Sequence, residues 1–235
     1  INYKIGLRNP IEAIRLLLKL RRLRTKTLIY LRSKPSRRMI IQDRVFFRLA
    51  GFSRILCIPR TDDQLFSRLD PRTQHLEPES SRLARCCAPL GVIDLADSAS
   101  WDLRLNTAER ASGACIAANL PSPFLVIHTG GKAISNDWGY ERWAQFLHLF
   151  KGATNFHGLA VVGAADDHLR ADALCKIWGD GALNLCGGPA PREVAALLAH
   201  ANLFIGHDSG PLHLTQCVGT PALGLFGSKN RPKIW

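Results

Sequence analysis

The densest chemistry in the chain lies in Asp208-Ser-Gly-Pro-Leu-His213, which brings a carboxylate, a hydroxyl, a glycine and an imidazole within six residues. The apolar run 203–205 before it reads as a short buried strand. Residues 206–210 break that strand with turn formers. Asp208 or Ser209 can cap the helix that follows, and Pro211 falls where a first-turn proline is tolerated. Gly219 and Pro221 close that helix, and 222–226 reads as the next strand. A helix start presents unpaired N–H groups and the positive end of the helix dipole, which suits a phosphate. Gly210 would let a ligand come close. His213, one turn in, can aim a ring nitrogen at the same place, and Asp208 can orient a ligand hydroxyl or His213. On spacing alone, an ordinary capped helix with a packed His213 is an equal reading.

The elements that must position these residues are legible through the second half. Strands are expected at 124–128, 159–162, 183–185, 203–205 and 222–226. Helices are expected at 140–150, 168–178, 191–200 and from about 210 to 218. This β-α alternation specifies an α/β, doubly wound parallel sheet, whose ligands sit at the carboxyl ends of the strands. Four loops follow strands and would converge there. They carry Thr129, Gly130 and Lys132; Gly163, Asp166 and Asp167; Cys186 and Gly187; and the 206–210 turn. Glu193 sits in the first turn of the helix that Pro191 opens.

The first half alternates too: a helix at 10–24, a strand at 26–31, a helix from a Ser36 cap to about Ala50, and a strand at 54–58. In the first of these helices, Ile14, Leu17 and Leu18 are expected to face inward, opposite Glu12, Arg15, Lys19 and Arg22. Residues 60–102 are less regular. His75 with Glu77 and Glu79 lacks a second histidine and reads as a surface loop rather than a metal site. A helix is expected at 106–118. Leu120-Pro-Ser-Pro123 reads as a linker, giving domains 1–120 and 121–235.

The chain has 235 residues, 46% of them hydrophobic, and a net charge of +12. Residues 1–60 hold 16 Lys and Arg against 2 acids, so the basic character belongs to one segment. Such a segment suits an anionic membrane surface, a phosphorylated acceptor or nucleic acid, against a solvated basic surface without a partner. Nucleic acid would need interleaved aromatics, and those of 1–60 (Tyr3, Tyr30, Phe46, Phe47, Phe52) fall mostly at core-like positions. No nucleic-acid partner is therefore expected. No run of 18 apolar residues occurs. Seven cysteines without a framework read as reduced thiols.

Asp208-Ser-Gly-Pro-Leu-His-Leu, with Val218-Gly-Thr-Pro and Leu225-Phe-Gly, resembles the signature of glycosyltransferase family 9, the lipopolysaccharide heptosyltransferases. His128-Thr-Gly-Gly-Lys132 with Asn136-Asp-Trp-Gly139, Val161-Val-Gly-Ala with Asp166-Asp167, and Asn184-Leu-Cys-Gly187 with Arg192-Glu193 continue the likeness in order. The resemblance implies a GT-B-like fold of two Rossmann-like domains, the N-terminal one incomplete here. It implies transfer of a heptose from a nucleotide-diphosphate sugar, ADP-heptose, to a lipopolysaccharide inner-core acceptor, at the cytoplasmic face of the inner membrane. Thr129, Gly130, Lys132, Asp208, Ser209, Gly210 and His213 would hold the donor phosphates. Gly163, Asp166, Asp167, Cys186, Gly187 and Glu193 would lie on the nucleotide side. No cofactor and no metal are expected, because Asp62-Asp63 and Asp166-Asp167 are adjacent pairs whose side chains diverge.

Two departures stand out. The family's usual lysine before the first-loop tryptophan is Asn136 here, with Lys132 or Arg142 as substitute cations. The sequence also starts downstream of the glycine-rich loop that carries the family's general base. None of Glu12, Asp43, Asp62 or Asp63 fits that context. The expectation is therefore nucleotide binding with poor transfer. The alternatives are a basic nucleic-acid-binding module and a degenerate nucleotide-sugar-binding protein without transferase activity.

Overall fold

A computed structural model of the chain describes residues 10–33, 35–130 and 137–227. Lys132 and Asn136 lie outside the described residues. The chain divides into two compact units between Ala96 and Asp97.

The first unit contains helix α1 (Pro10–Arg22), strand β1 (Thr27–Ile29), helix α2 (Arg37–Leu49), strand β2 (Arg54–Leu56) and the shorter helices α3 (Asp62–Leu65) and α4 (Glu79–Cys86). β1 and β2 pair in parallel. Ser36 caps α2 as expected, its hydroxyl accepting from the Met39 N–H at 3.2 Å. Tyr30, Ile40, Phe52, Ile55, Ile58 and Leu65 form a small core, with Leu17 and Leu20 of α1 packed against it. The inward face of α1 therefore differs from the expected one. Ala13, Leu16, Leu17 and Leu20 are half-buried, whereas Ile14 and Leu18 are exposed. α1 carries two apolar stripes, and its own sequence does not say which one packs.

Polar groups do much of the holding in this unit. Asp43 is buried and accepts from the Tyr30 hydroxyl at 2.7 Å and from Arg32 at 2.8 Å. Burial and the Asp43 carboxylate push the Tyr30 phenol well above its ordinary value, so it remains a donor. Arg82, 1% exposed, meets both oxygens of Glu79 and also donates to the carbonyls of Gln64 and Arg32. Glu77 pairs with Arg85. These pairs give the acids of the 75–79 segment a structural role. Asp62 and Asp63 are likewise held, by Arg37 and by Arg68 with Arg85.

The second unit begins with helix α5 (Thr107–Ala117). β3 (Phe124–His128), α6 (Tyr140–Ala153), β4 (Gly158–Val161), α7 (His168–Trp178), β5 (Ala182–Asn184), α8 (Pro191–Leu198), β6 (Leu203–His207), α9 (Gly210–Val218) and β7 (Ala222–Leu225) follow. The five strands are all parallel, in the order β5-β4-β3-β6-β7. Every residue of β3 and β4 is buried, as continuous apolar runs require when both faces of a sheet are covered. On one face Leu125, Ile127, Leu159, Val161 and Ile205 meet Trp143, Leu147, Leu174 and Trp178 of α6 and α7. On the other, Phe124, Val126, Ala160 and Phe204 meet Val194, Leu197 and Leu198 of α8 and Leu212 of α9.

The expected boundary at 120–123 gives way to one between Ala96 and Asp97, because α5 belongs to this sheet's layer. Gly113 lies so close to α8 that a Cβ there would fall 2.5 Å from the Ala196 backbone. Ser112 donates to Glu193 at 2.7 Å, and Arg192 pairs with Glu109. The proline-rich run marks only the turn into β3.

Candidate functional site at the carboxyl ends of β3 and β6

The strand order reverses between β3 and β6. Their outgoing connections part there, which opens a crevice beyond the strand ends. Thr129 and Gly130 leave β3 at this point, and Asp208, Ser209 and Gly210 leave β6. Most of the residues singled out by the sequence meet along this edge. A Cβ on Gly130 would fall 2.4 Å from Asp167 Oδ2, and one on Gly163 would fall 2.8 Å from the same atom. Both glycines thus give the Asp167 carboxylate its place, where it accepts the Ala164 N–H at 3.0 Å. Gly163 also abuts Cys186 Sγ, and Gly187 abuts Ala165. Asp166 is exposed. Burial, with Asp167 adding, pushes the Cys186 thiol up to about 12, so Cys186 is a neutral wall rather than a nucleophile.

Two donor groups in the crevice keep no partner among the described residues. Thr129 is 1% exposed, and its hydroxyl is unpaired. The start of α9 is the second. Ser209 is its N-cap residue but makes no side-chain cap bond. Among the described residues, an added Cβ on Gly210 would meet nothing within 4 Å. Asp208 Oδ1 stands 3.6 Å from His213 Nε2. Glu193 lies at the start of α8, its two oxygens accepting from the Ala190 N–H and from Ser112. It stands along the same edge and is already engaged in holding α8 to α5.

Three residues to which the sequence reading gave no role of their own organise the crevice. His207, 1% exposed, ends β6 rather than starting a turn. Its Nε2 accepts the Trp138 N–H at 3.2 Å, so its Nδ1 carries the proton and donates to the Gly130 carbonyl at 3.3 Å. Arg170 of α7 makes a second clasp. Its Nη1 donates to the Thr129 carbonyl at 3.3 Å and to Asp137 Oδ2 at 2.9 Å. Burial pulls the Asp137 carboxyl upward, but the Gly139 N–H and Arg170 prevail and hold it below the ordinary aspartate value. The chain on both sides of 131–136 is thereby pinned to β6 and to α7. His128, at the end of β3, is the third. Burial holds its ring down to about 4, against the upward pull of Asp167. The sequence does carry a signal for the two histidines, since β3 and β6 are apolar strands that each end in His.

A cavity of about 390 Å³ lies beside this clasp, lined by Asp137, Trp138, Arg142, His207 and residues 224–227. Arg142, in the first turn of α6, donates to the Trp138 carbonyl and lines this space. Among the described residues there is no group of three or more His, Cys, Asp and Glu able to hold a metal ion, and no helix is long and apolar enough to cross a membrane.

The chain is similar to lipopolysaccharide heptosyltransferase 3 of Escherichia coli K12, with 25% identity over 141 residues. Those residues are 60% of this chain and 41% of that protein, so the chain spans less than half the length of this curated relative. Among solved structures, a family 9 glycosyltransferase from Veillonella parvula superposes with a TM-score of 0.59 at 19% identity, over 90% of this chain and 61% of that one. The E. coli heptosyltransferase WaaC with ADP-2-deoxy-2-fluoro heptose superposes with a TM-score of 0.55 at 18% identity, over 97% of this chain and 70% of that one. These likenesses support a GT-B-like α/β fold. Residues 65–234 match the family described as glycosyltransferase family 9 (heptosyltransferase), and this chain belongs to that family.

Proposed function

We propose that the second unit binds the diphosphate of a nucleotide sugar at the start of α9, and that the protein transfers a heptose from ADP-heptose to a lipopolysaccharide inner-core acceptor. One observation carries the reading. In a family 9 chain, at the reversal point of the sheet, the start of α9 has no side-chain cap and the Thr129 hydroxyl no partner among the described residues. Amides and hydroxyls so placed suit phosphate oxygens, and they stabilise a leaving nucleoside diphosphate as its charge develops. The solved relative with an ADP-heptose analogue supports the choice of nucleotide. Thr129, Gly130, Asp208, Ser209, Gly210 and His213 take the phosphate side, with Lys132 or Arg142 as the cation. Gly163, Asp166, Asp167, Cys186, Gly187 and Glu193 take the nucleotide side. Transfer proceeds without a divalent metal in this reading, the amides and a cation standing in its place.

The acceptor falls to the first unit. There a cavity of about 230 Å³ is lined by Arg37, Arg44, Arg60 and Asp62, an environment for an anionic group. α1 exposes Ile11, Ile14 and Leu18 on one face, flanked by Arg15, Lys19 and Arg22. A helix with that division suits the interface of an anionic membrane, where each well-placed cation contributes on the order of 1 kcal/mol. The protein would then work on the inner face of the inner membrane.

Calorimetry with ADP, GDP and UDP tests the donor site. ADP should bind, His213→Ala should weaken it, and unchanged affinity for every nucleotide would sink the assignment. Transfer from ADP-heptose should survive EDTA; loss rescued by Mg²⁺ would overturn metal independence. Association with anionic vesicles should fall steeply from low to physiological salt, with exposed charges screened over about 8 Å. Equal binding to neutral vesicles would reject the membrane reading.

A further inference from the structure

Ser209 occupies the N-cap of α9, from which a serine hydroxyl ordinarily accepts an N–H two or three residues on. Its backbone has the extended cap geometry, φ −155 and ψ 173, yet the bond is not made. Instead, Ser209 Oγ lies 2.9 Å from His128 Nδ1 and 3.0 Å from the His207 carbonyl oxygen. A hydroxyl has one proton to give. Both contacts close only when Ser209 donates to the carbonyl and accepts from a proton on His128 Nδ1. His128 is suited to that role: it is buried at the end of β3, and its ring is neutral at pH 7. Pro211, the next residue but one, has no N–H to offer. With the hydroxyl drawn away, the amides of Gly210 and Leu212 find no acceptor among the described residues. Ser36 shows the ordinary arrangement in the same chain, taking the Met39 N–H at the start of α2.

We propose that His128 is a positioning residue of the anion site: it holds Ser209 Oγ against the end of β6, stops α9 from capping itself, and so reserves the Gly210 and Leu212 amides for phosphate oxygens. The proposal rests on the diphosphate reading above. His128 touches no ligand in this scheme. Without it, Ser209 turns about χ1 and caps Leu212, and an incoming phosphate must displace that cap. A serine cap competes to the extent of about tenfold in affinity.

The test is calorimetric titration of the full chain with ADP at pH 7.5. His128→Leu should bind about tenfold more weakly than wild type. His128→Asn keeps an N–H donor and should stay within about twofold. Ser209→Ala removes one phosphate-side hydroxyl but leaves the amides open, so it should weaken binding by about threefold, less than His128→Leu does. The decisive protein is His128→Leu/Ser209→Ala, which should regain the affinity of Ser209→Ala, because no hydroxyl is left to cap the helix. Simple damage at the end of β3 would not be repaired by a second truncation. Wild-type affinity in His128→Leu, or a double variant as weak as His128→Leu, would overturn the proposal. Should His128→Leu not fold, proton–nitrogen spectra of the wild type decide. The Gly210 and Leu212 amide signals should move strongly downfield on adding ADP, and stationary signals beside other responding ones would overturn it. A wild-type chain that binds no ADP, GDP or UDP would overturn the diphosphate reading and this role together. Wild-type binding with a flat mutant series would overturn this role alone.

Discussion

β3 reads Phe-Leu-Val-Ile-His and all five residues are buried, whereas β1 is Thr-Leu-Ile with only Leu28 half-covered. The second unit closes its sheet between two apolar layers, with Trp143 and Trp178 fully buried in one of them. Among the described residues the first unit has two short strands, and its largest fully buried side chain is an arginine, Arg82. Guanidinium pairs also organise its α3–α4 region, through Arg85 with Glu77 and Arg68 with Asp63. A sheet covered on both faces is stabilised by area removed from water, a non-directional effect. A small unit with little such area leans on directional bonds, which demand that every buried donor and acceptor be matched.

The largest test of this contrast is Trp143→Ala. Removing a buried tryptophan that touches Trp138, Phe146 and His207 should cost about 4–5 kcal/mol. Amide hydrogen exchange should rise more across 97–227 than across 10–96; an even rise would break the comparison. Next comes Arg82→Ala, which takes the guanidinium away from the buried Glu79 carboxylate and should cost about 3–4 kcal/mol. Glu79→Leu/Arg82→Met should recover most of that loss in urea melts, since removing both charges also removes both desolvation costs. A double variant as unstable as Arg82→Ala would show that the pair does more than satisfy itself.

Acid should separate the units as well. The folded chain holds His128 down to about 4, while an unfolded histidine takes its proton near 6.5. A depressed histidine favours folding above 6.5, and that stability drains away as pH falls toward 4, by up to about 3 kcal/mol. In the first unit, Glu77 is depressed against the pull of burial by Arg85 and the Arg68 N–H, and Asp63 by Arg68 and Arg85. Their contribution is lost only as pH falls through values below the ordinary carboxylate range. Exchange measured stepwise from pH 7 to 3 should show 97–227 loosening before 10–96, and the reverse order would refute the assignment. The smallest effect is Ser36→Ala, which removes the α2 cap and should cost about 1 kcal/mol in thermal melts. No loss there would mean that α2 is held by packing alone.

The contrast also governs how much could be read in advance. β3 to β7 and α6 to α9 emerge close to their expected bounds, because buried parallel strands are written as apolar runs and their helices carry start and stop residues. The face of α1 was not legible, since two apolar stripes compete on its surface and only packing selects between them. The boundary was missed for a related reason. Leu120-Pro-Ser-Pro123 has the composition of a linker, but Gly113 against Ala196 ties α5 to the second unit, and that approach has no local signature.

At the crevice the same division is sharper. The order of strands, loops and helices, the helix start at Gly210, and the clustering of Gly130, Gly163, Asp167 and Gly187 follow from residue types and their sequence order. What Ser209 does with its hydroxyl does not. Its own sequence offers the Leu212 amide, a partner three residues away. The structure offers His128, 81 residues away, brought into reach by the pairing of β3 with β6, in which His128 stands opposite Gly206. A local rule can name a hydroxyl placed to cap a helix. Only the register of two strands decides that it bonds elsewhere, because the competing partner exists nowhere until the sheet has formed.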